Sequence, residues 1–132
     1  MNILSEIVVL FVDDELETIN ALKRFLRKEP YTKLFAASGA EAMDMMQDRN
    51  VDIIVTDAFM PNMSGQELIR AVKTLHPETI CLLTSGANEA EQIVKSIGID
   101  NVFGFIKKPI LPDQFKQAID DAVEYCVRNG NR

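Results

Sequence analysis

The chain has 132 residues, of which 47% are apolar and 26% charged, and its 20 acidic and 14 basic side chains give a net charge of −6. This composition excludes a disordered chain, a collagen-like chain and a disulfide scaffold. The length fits one domain, which we expect to span residues 1–132 with a core at about 7–127 and a polar tail at 129–132. The acidic balance argues against nucleic acid as the main partner, because phosphate binding needs a basic face.

Two local features bear on the cellular compartment. The longest near-apolar run, Glu6–Val12, lacks a basic leader and is too short for a membrane helix or a signal peptide. Cys81 and Cys126 lie far apart in a chain without a CxxC motif or a Cys/His cluster. This spacing favours buried free thiols over a disulfide or a metal site. We therefore expect a cytoplasmic protein that does not contact a membrane.

Apolar segments rich in β-branched residues recur along the chain, and such segments are typical of strands buried on both faces of a parallel sheet. They lie at Ile7–Val12, Lys33–Ala36, Ile53–Thr56, Ile80–Leu83 and Val102–Ile106. Each is followed by a segment with helical periodicity, so the predicted order is βαβαβαβαβα. This alternation predicts an α/β fold with a five-stranded parallel sheet and helices on both faces.

The helical segments carry recognisable start signals. The apolar spacing of Leu16–Lys28 predicts the first helix. Ser38 and Ser64 each begin a capping box, and Asn88 can cap the fourth helix in the same way. The last helix is predicted at Pro112–Arg128, because proline suits the first turn of a helix.

Two valines leave the role of the last helix open. Its predicted inward stripe consists of Phe115, Ile119, Ala122 and Cys126. Val123 and Val127 lie beside that stripe, where they either widen the core face or belong to a dimer surface. We favour the wider core face.

Polar side chains follow four of the five predicted strands at their carboxyl ends. Asp13 and Asp14 follow the first strand, Asp57 the third, Thr84 the fourth and Lys108 the fifth. Parallel strands bring these groups to one edge of the sheet, where doubly wound folds bind their ligands. Each residue alone is explained by a loop, an N-cap or a turn. Their joint occurrence in this order indicates a functional site.

The residue types in this set indicate phosphoryl chemistry. Three carboxylates at one edge repel each other, and a hard divalent cation relieves that repulsion. Mg²⁺ takes oxygen ligands and is usually held by one or two carboxylates together with a phosphate. Lys108 can supply a positive charge for phosphate oxygens, and Thr84 a hydroxyl donor. Such a set suits phosphoryl transfer to a carboxylate.

The chain resembles the receiver domains of two-component response regulators, of which the bacterial chemotaxis receiver is one. The resemblance covers roughly Ile7 to Val127. Its most specific parts are Val12–Glu15, Asp57–Gly65, Leu83–Ser85 and Phe105–Pro109. It implies a flavodoxin-like (βα)5 fold with the strand order 2-1-3-4-5.

The resemblance also implies roles for the matching residues. Asp57 would be the phosphoacceptor, receiving a phosphoryl group from a sensor histidine kinase, a phosphotransfer protein or a small donor. Asp14 and Asp57 would ligate Mg²⁺ directly, and Asp13 mainly through a bound water. The backbone carbonyl of Phe59 would be the third protein ligand. Lys108 would pair with a phosphoryl oxygen.

The implied protein is a switch rather than a turnover enzyme, although it assists its own phosphorylation and dephosphorylation. Thr84 would move toward the phosphoryl group and Phe105 would follow it inward, which changes the surface offered to a downstream effector domain or protein. The resemblance allows a homodimer through the fourth helix, the fifth strand and the fifth helix. Slow hydrolysis is expected, because neither Phe59 nor Gly86 can orient a water.

Three other functions compete with this interpretation. A pseudo-receiver that docks partners without phosphorylation is weakened because every expected site residue is present. A phosphohydrolase of the haloacid dehalogenase kind would carry its nucleophile in a D-x-D pattern after the first strand, where this chain reads Asp13-Asp14-Glu15. An FMN carrier would need a phosphate loop there, and three acids would repel the phosphate.

Overall fold

The five strands of the computed structural model, which describes residues 3–86, 95 and 101–129, form one parallel sheet in the order β2-β1-β3-β4-β5. The strands are β1 (Val8–Val12), β2 (Thr32–Ala36), β3 (Ile53–Asp57), β4 (Ile80–Ser85) and β5 (Gly104–Lys107). The helices are a short 3-10 helix (Ile3–Glu6), α1 (Leu16–Phe25), α2 (Gly39–Asp48), α3 (Gly65–Leu75) and the C-terminal helix (Pro112–Arg128). The predicted α/β fold and strand order are confirmed. The predicted N-cap at Asn88 lies outside the described residues.

The sheet is buried on both faces, as the continuous apolar runs predicted. Alternate residues of β1 point to opposite sides, so Val9 and Phe11 belong to a core cluster with α1 and the C-terminal helix. Leu10 and Val12 belong to a second cluster with α2 and α3. Both faces of each central strand therefore contribute to the core, which leaves the ends of the strands as the place for a functional site.

The C-terminal helix supports the wider core face that we favoured. Val123 is buried, and Val127 packs partly buried against the same cluster. Cys126 lies in this cluster and Cys81 in the one on the opposite face, and neither cysteine forms a disulfide. The prediction of buried thiols outside a disulfide is confirmed.

Most of the predicted boundaries differ from the structure by one to three residues; β4, for example, ends at Ser85 rather than at Leu83. Two of these differences have a clear physical reason. Helix α1 ends at Phe25 rather than at Lys28, because the N–H of Arg27 turns back to the carbonyl of Arg24, as in a tightened last turn. Strand β5 begins at Gly104 rather than at Val102, since its pairing with β4 starts at the Leu82–Gly104 pair. The end of α1 is thus set by backbone hydrogen bonds in its last turn and the start of β5 by strand pairing, and the apolar pattern shows neither.

The helix starts agree with the capping signals. The side chain of Ser38 accepts a hydrogen bond from the N–H of Glu41 at 3.1 Å, which is one of the two bonds of the capping box predicted there. At α3 the capping box is complete, because the N–H of Glu67 donates to Ser64 and the N–H of Ser64 donates to the Glu67 carboxylate, each at 3.1 Å. Within the described part of the chain, none of the helices combines the length and apolar character that a membrane span requires.

Replacing Ser64 by alanine should destabilise the domain by about 1 kcal/mol, because the first turn of α3 then loses its side-chain acceptor. The measurement is urea unfolding, in which the midpoint should fall while the slope stays unchanged. Ser64→Thr keeps the hydroxyl and serves as the control. Equal midpoints for Ser64→Ala and the wild type would contradict the assigned cap.

Candidate functional site

Three aspartates meet at the carboxyl edge of the sheet, where the sequence predicted them. Asp13 and Asp57 are buried, with 5% and 4% of their surface exposed, whereas Asp14 is exposed. One carboxylate oxygen from each of the three residues lies within 4.8 Å of the others. The predicted convergence of Asp13, Asp14 and Asp57 is therefore present in the fold.

Asp13 is held by the turn that leads from β1 into α1. Its backbone N–H donates to the carbonyl of Ala36 in β2 at 3.1 Å. Its side-chain oxygen accepts from the N–H of Glu15 at 2.9 Å, which closes a short turn ahead of the helix. The turn thus fixes the carboxylate against the end of β3.

Asp57 is the last residue of β3, and its carboxylate contacts a lysine. The Nζ atom of Lys108 lies 2.8 Å from Oδ1 of Asp57. The N–H of Lys108 donates to the carbonyl of Ser85 at 2.9 Å, so this segment is fixed to the end of β4. The neighbouring Lys107 is exposed. Lys108, and not Lys107, therefore belongs to the site.

The electrostatics of the site favour a bound cation. Burial is the main cause that raises the pKa of Asp13 to about 6, and the charges of Asp57 and Asp14 add to it, while the Glu15 N–H and Lys108 oppose it. Burial alone would lower the pKa of Lys108, but its hydrogen bond to Asp57 and the nearby carboxylates raise it above its usual value. One protonated lysine faces three carboxylates, so negative charge remains in excess.

Thr84 lies beside Asp57, and Phe105 belongs to a different part of the sheet edge. Thr84 pairs with Asp57 across β3 and β4, and it lines a small cavity together with Asp13 and Asp57. Phe105 is half-buried against the cluster on the α2–α3 face. The β4–β5 register places Phe105 opposite Leu83, so Thr84 and Phe105 belong to different cross-strand pairs.

The loop between β3 and α3 carries the remaining candidate ligand. The N–H of Phe59 approaches Oδ1 of Asp57 at 3.4 Å, and the Phe59 side chain is 53% exposed. Asn62 adopts a φ of 68°, a left-handed conformation that asparagine tolerates better than most residues. This turn returns the chain to the first residue of α3.

The structure shows one site neighbour to which the sequence analysis assigned no role. The N–H of Gly65 donates to the carbonyl of Ala58 at 2.9 Å. A Cβ atom at Gly65 would overlap the backbone oxygen of Asp57 and lie 2.9 Å from the Cα of Ala58. Gly39 also follows a capping serine and makes no such backbone approach, so the sequence does not single out Gly65.

A groove runs beside the carboxylates, between α1 and the segment that follows β5. It has a volume of about 360 Å³. Asp13 and Lys108 line it together with the apolar side chains of Ala21, Phe25 and Ile110. Asp57 lines a separate small cavity with Asp13 and Thr84, so the groove adjoins the site through Asp13 and Lys108.

Comparison with known proteins identifies the family. The sequence model of the family described as "Response regulator receiver domain" matches residues 9–120. The chain is 31% identical over 116 residues to the hydrogenase transcriptional regulatory protein HoxA of Bradyrhizobium diazoefficiens, covering 88% of this chain and 24% of that protein. It is 34% identical over 118 residues to the sensor kinase CckA of Brucella abortus, covering 88% of this chain and 12% of that protein.

A solved structure agrees with these sequence matches. Chemotaxis protein CheY4 of Vibrio cholerae superposes with a TM-score of 0.77 at 28% identity, covering 88% of this chain and 98% of that one. The chain spans a quarter or less of the length of HoxA and CckA, so it corresponds to one segment of each. The chain belongs to the family of response regulator receiver domains of two-component systems.

Proposed function

We propose that this receiver domain accepts a phosphoryl group on Asp57 from a sensor histidine kinase or a phosphotransfer protein and then switches a partner-binding surface. The observation that carries the proposal is the environment of the Asp57 carboxylate. It is buried, lies 2.8 Å from the Lys108 amine and clusters with two further carboxylates. We propose a single cytoplasmic domain over residues 1–132 that acts as a switch and not as a turnover enzyme.

The three aspartates fit a magnesium ion. Their oxygens lie close enough to share one ion, and their charge exceeds what Lys108 neutralises. We assign Asp14 and Asp57 as direct ligands, Asp13 as a ligand through water, and the backbone carbonyl of Phe59 as the third protein ligand. Bound there, Mg²⁺ would offset the negative charge that phosphoryl transfer concentrates at the carboxylates.

The transfer step follows from the acceptor and its neighbours. A carboxylate oxygen of Asp57 forms a bond to phosphorus, and the P–N bond of phosphohistidine or the P–O bond of acetyl phosphate breaks. The electron pair of that bond leaves with the imidazole or the acetate. Lys108, which stays protonated, then pairs with a phosphoryl oxygen, and the hydroxyl of Thr84 donates to another.

The output follows from the added charge. Phosphorylation replaces a carboxylate with a group that carries about −1.5 to −2 charges and three strong acceptors. Thr84 is near enough to respond, and we propose that Phe105 follows by moving further into the core. An effector domain or protein would bind the changed surface, or a second copy would bind it through β5, the C-terminal helix and the fourth helix predicted from the sequence, which lies outside the described residues.

The test is intact-protein mass after incubation with acetyl phosphate and Mg²⁺. We expect a single phosphoryl adduct of about 80 Da on the wild type, the mass that phosphorylation adds. Asp57→Asn should abolish the adduct, since its amide is a poor nucleophile, and EDTA should prevent it. Asp52→Asn is the matched control, because Asp52 precedes the opposite end of β3 and its side chain accepts from Val8 N–H at 2.8 Å, which asparagine can also do.

Three outcomes separate the alternatives. An adduct on the wild type and on Asp52→Asn, but not on Asp57→Asn, supports the proposal. An adduct that survives in Asp57→Asn places the acceptor elsewhere. If the wild type takes up no phosphoryl group and also fails to bind beryllofluoride with Mg²⁺, the domain is a docking module that works without phosphorylation.

A further inference from the structure

The peptide group between Asp57 and Ala58 lies where the sheet ends. Its N–H donates to the carbonyl of Thr84 in β4 at 3.0 Å. The peptide bond is trans, so the carbonyl of Asp57 points in the opposite direction to the N–H of Ala58, toward the side of β1. The pairing between β1 and β3 ends at Val12 and Thr56, one residue earlier. The Asp57 carbonyl therefore lies beyond the last pair of that ladder.

The hydroxyl of Thr56 provides a donor at this position. Its Oγ1 donates to the carbonyl of Asp57 at 3.1 Å. The Thr56 side chain is fully buried, where a hydroxyl is unfavourable unless it is hydrogen bonded. Valine would have nearly the same shape and would avoid this penalty. The presence of a hydroxyl at this buried position is therefore explained by the hydrogen bond that it donates to the Asp57 carbonyl.

The α3 side of the same peptide group is also fixed. Gly65 packs so closely against it that a side chain there would overlap the Asp57 oxygen. The N–H of Gly65 holds the next carbonyl, that of Ala58, at 2.9 Å. Thr84, Thr56 and Gly65 thus hold the backbone that carries the phosphoacceptor from three directions.

We propose that Thr56 is a positioning residue for Asp57. Its hydroxyl fixes the rotation of the Asp57–Ala58 peptide group, and with it the placement of the carboxylate beside the Lys108 amine. Thr56 acts through Asp57 and contacts neither the donor nor a metal ion. Small displacements of a reacting group lower a rate strongly, because the reacting atoms must stay aligned. The inference rests on the proposed phosphorylation of Asp57.

The test compares Thr56→Val, which removes the hydroxyl and keeps the shape, with Thr56→Ser, which keeps the hydroxyl. The rate of adduct formation is followed against acetyl phosphate concentration at saturating Mg²⁺. We expect Thr56→Val to lower the maximal rate constant about fivefold or more, with little change in the half-saturating concentration, since loss of alignment affects the chemical step. Thr56→Ser should stay within about twofold of the wild type.

Thr79→Val is the matched control for loss of stability. Thr79 is also buried, and its hydroxyl donates to the carbonyl of Val51 at 2.8 Å, at the opposite edge of the sheet. We expect this variant to melt at a lower temperature and to be phosphorylated at the wild-type rate. An equal loss of rate in both valine variants would show a general effect of stability and overturn the proposal.

The remaining outcomes are also decisive. A Thr56→Val protein that is phosphorylated like the wild type, even if it melts earlier, overturns the positioning role and leaves the proposed function intact. If Thr56→Val does not fold, Thr56→Ala replaces it under the same criteria. A wild type that takes up no phosphoryl group contradicts the proposed function, and this inference then fails with it.

Discussion

Gly65→Ala is expected to destabilise the domain by about 3 kcal/mol, the upper range for forcing extra volume into a packed site. The added methyl group would overlap the backbone oxygen of Asp57 and press on the Cα of Ala58. Backbone atoms cannot rotate away as a side chain can, so either α3 or the end of β3 must shift. A shift of β3 moves the Asp57 carboxylate, and we therefore expect phosphorylation to slow as well. Urea unfolding and the acetyl phosphate reaction measure the two effects.

Gly39→Ala is the control for this prediction. Gly39 and Gly65 are each the first residue of a helix and each follow a capping serine, so alanine changes local helix preference equally at both positions. At Gly39 the new methyl group would meet the Met63 side chain, with Sδ at 2.6 Å, Cγ at 3.0 Å and Cβ at 3.1 Å. Another rotamer moves Sδ and Cγ away, and the Cβ contact needs a shift of only a few tenths of an ångström, so the loss should stay below about 1 kcal/mol. Equal losses for the two variants would mean that the backbone contact at Gly65 has no special effect.

The apolar pattern of the sequence was sufficient to predict the fold class, because buried strands and amphipathic helices each leave a periodic, local signal. Continuous apolar runs alternating with amphipathic segments leave few topologies, and the observed sheet is parallel throughout, with core residues on both faces. The order of the strands came from the family resemblance. The end of α1 depended on backbone hydrogen bonds in its last turn and the start of β5 on pairing with β4, and the apolar pattern showed neither.

The candidate site, too, could be predicted from the sequence only in part. Asp13, Asp14 and Asp57 could be grouped from the sequence because parallel strands end at one edge. Lys107 and Lys108 are adjacent, and composition alone does not choose between them. The fold does, since the Lys108 amine contacts the Asp57 carboxylate and Lys107 is exposed.

Contacts made by residues of ordinary appearance could not be predicted. Thr56 looks like any β-branched strand residue, and its bond to the Asp57 carbonyl exists only because the β1–β3 ladder ends there. Gly65 looks like a routine residue after a helix cap, and its importance comes from backbone that is brought against it by the fold. Such roles depend on which atoms the fold brings into contact, and they leave no characteristic residue spacing in the sequence.

Asp13→Asn is expected to stabilise the metal-free domain at pH 7.5. The pKa of Asp13 is raised from 3.8 to about 6, mainly by burial, so above pH 6 its charge opposes folding. Between pH 4 and pH 6 the folded protein holds a proton that the unfolded chain has released, and the free energy of unfolding therefore falls as the pH rises through this window. Allowing for solvent screening, asparagine should gain about 1–2 kcal/mol at pH 7.5.

The measurement is urea unfolding of both proteins in EDTA at pH 7.5 and at pH 4.5. The gain from Asp13→Asn should be more than halved at pH 4.5, where the wild-type carboxyl is already protonated when folded. Asparagine can still accept the Glu15 N–H, so the turn into α1 is kept. Asp14→Asn is the matched control and should change stability less, because its carboxylate is exposed. An equal gain in stability at both pH values would contradict the conclusion that the negative charge of Asp13 opposes folding.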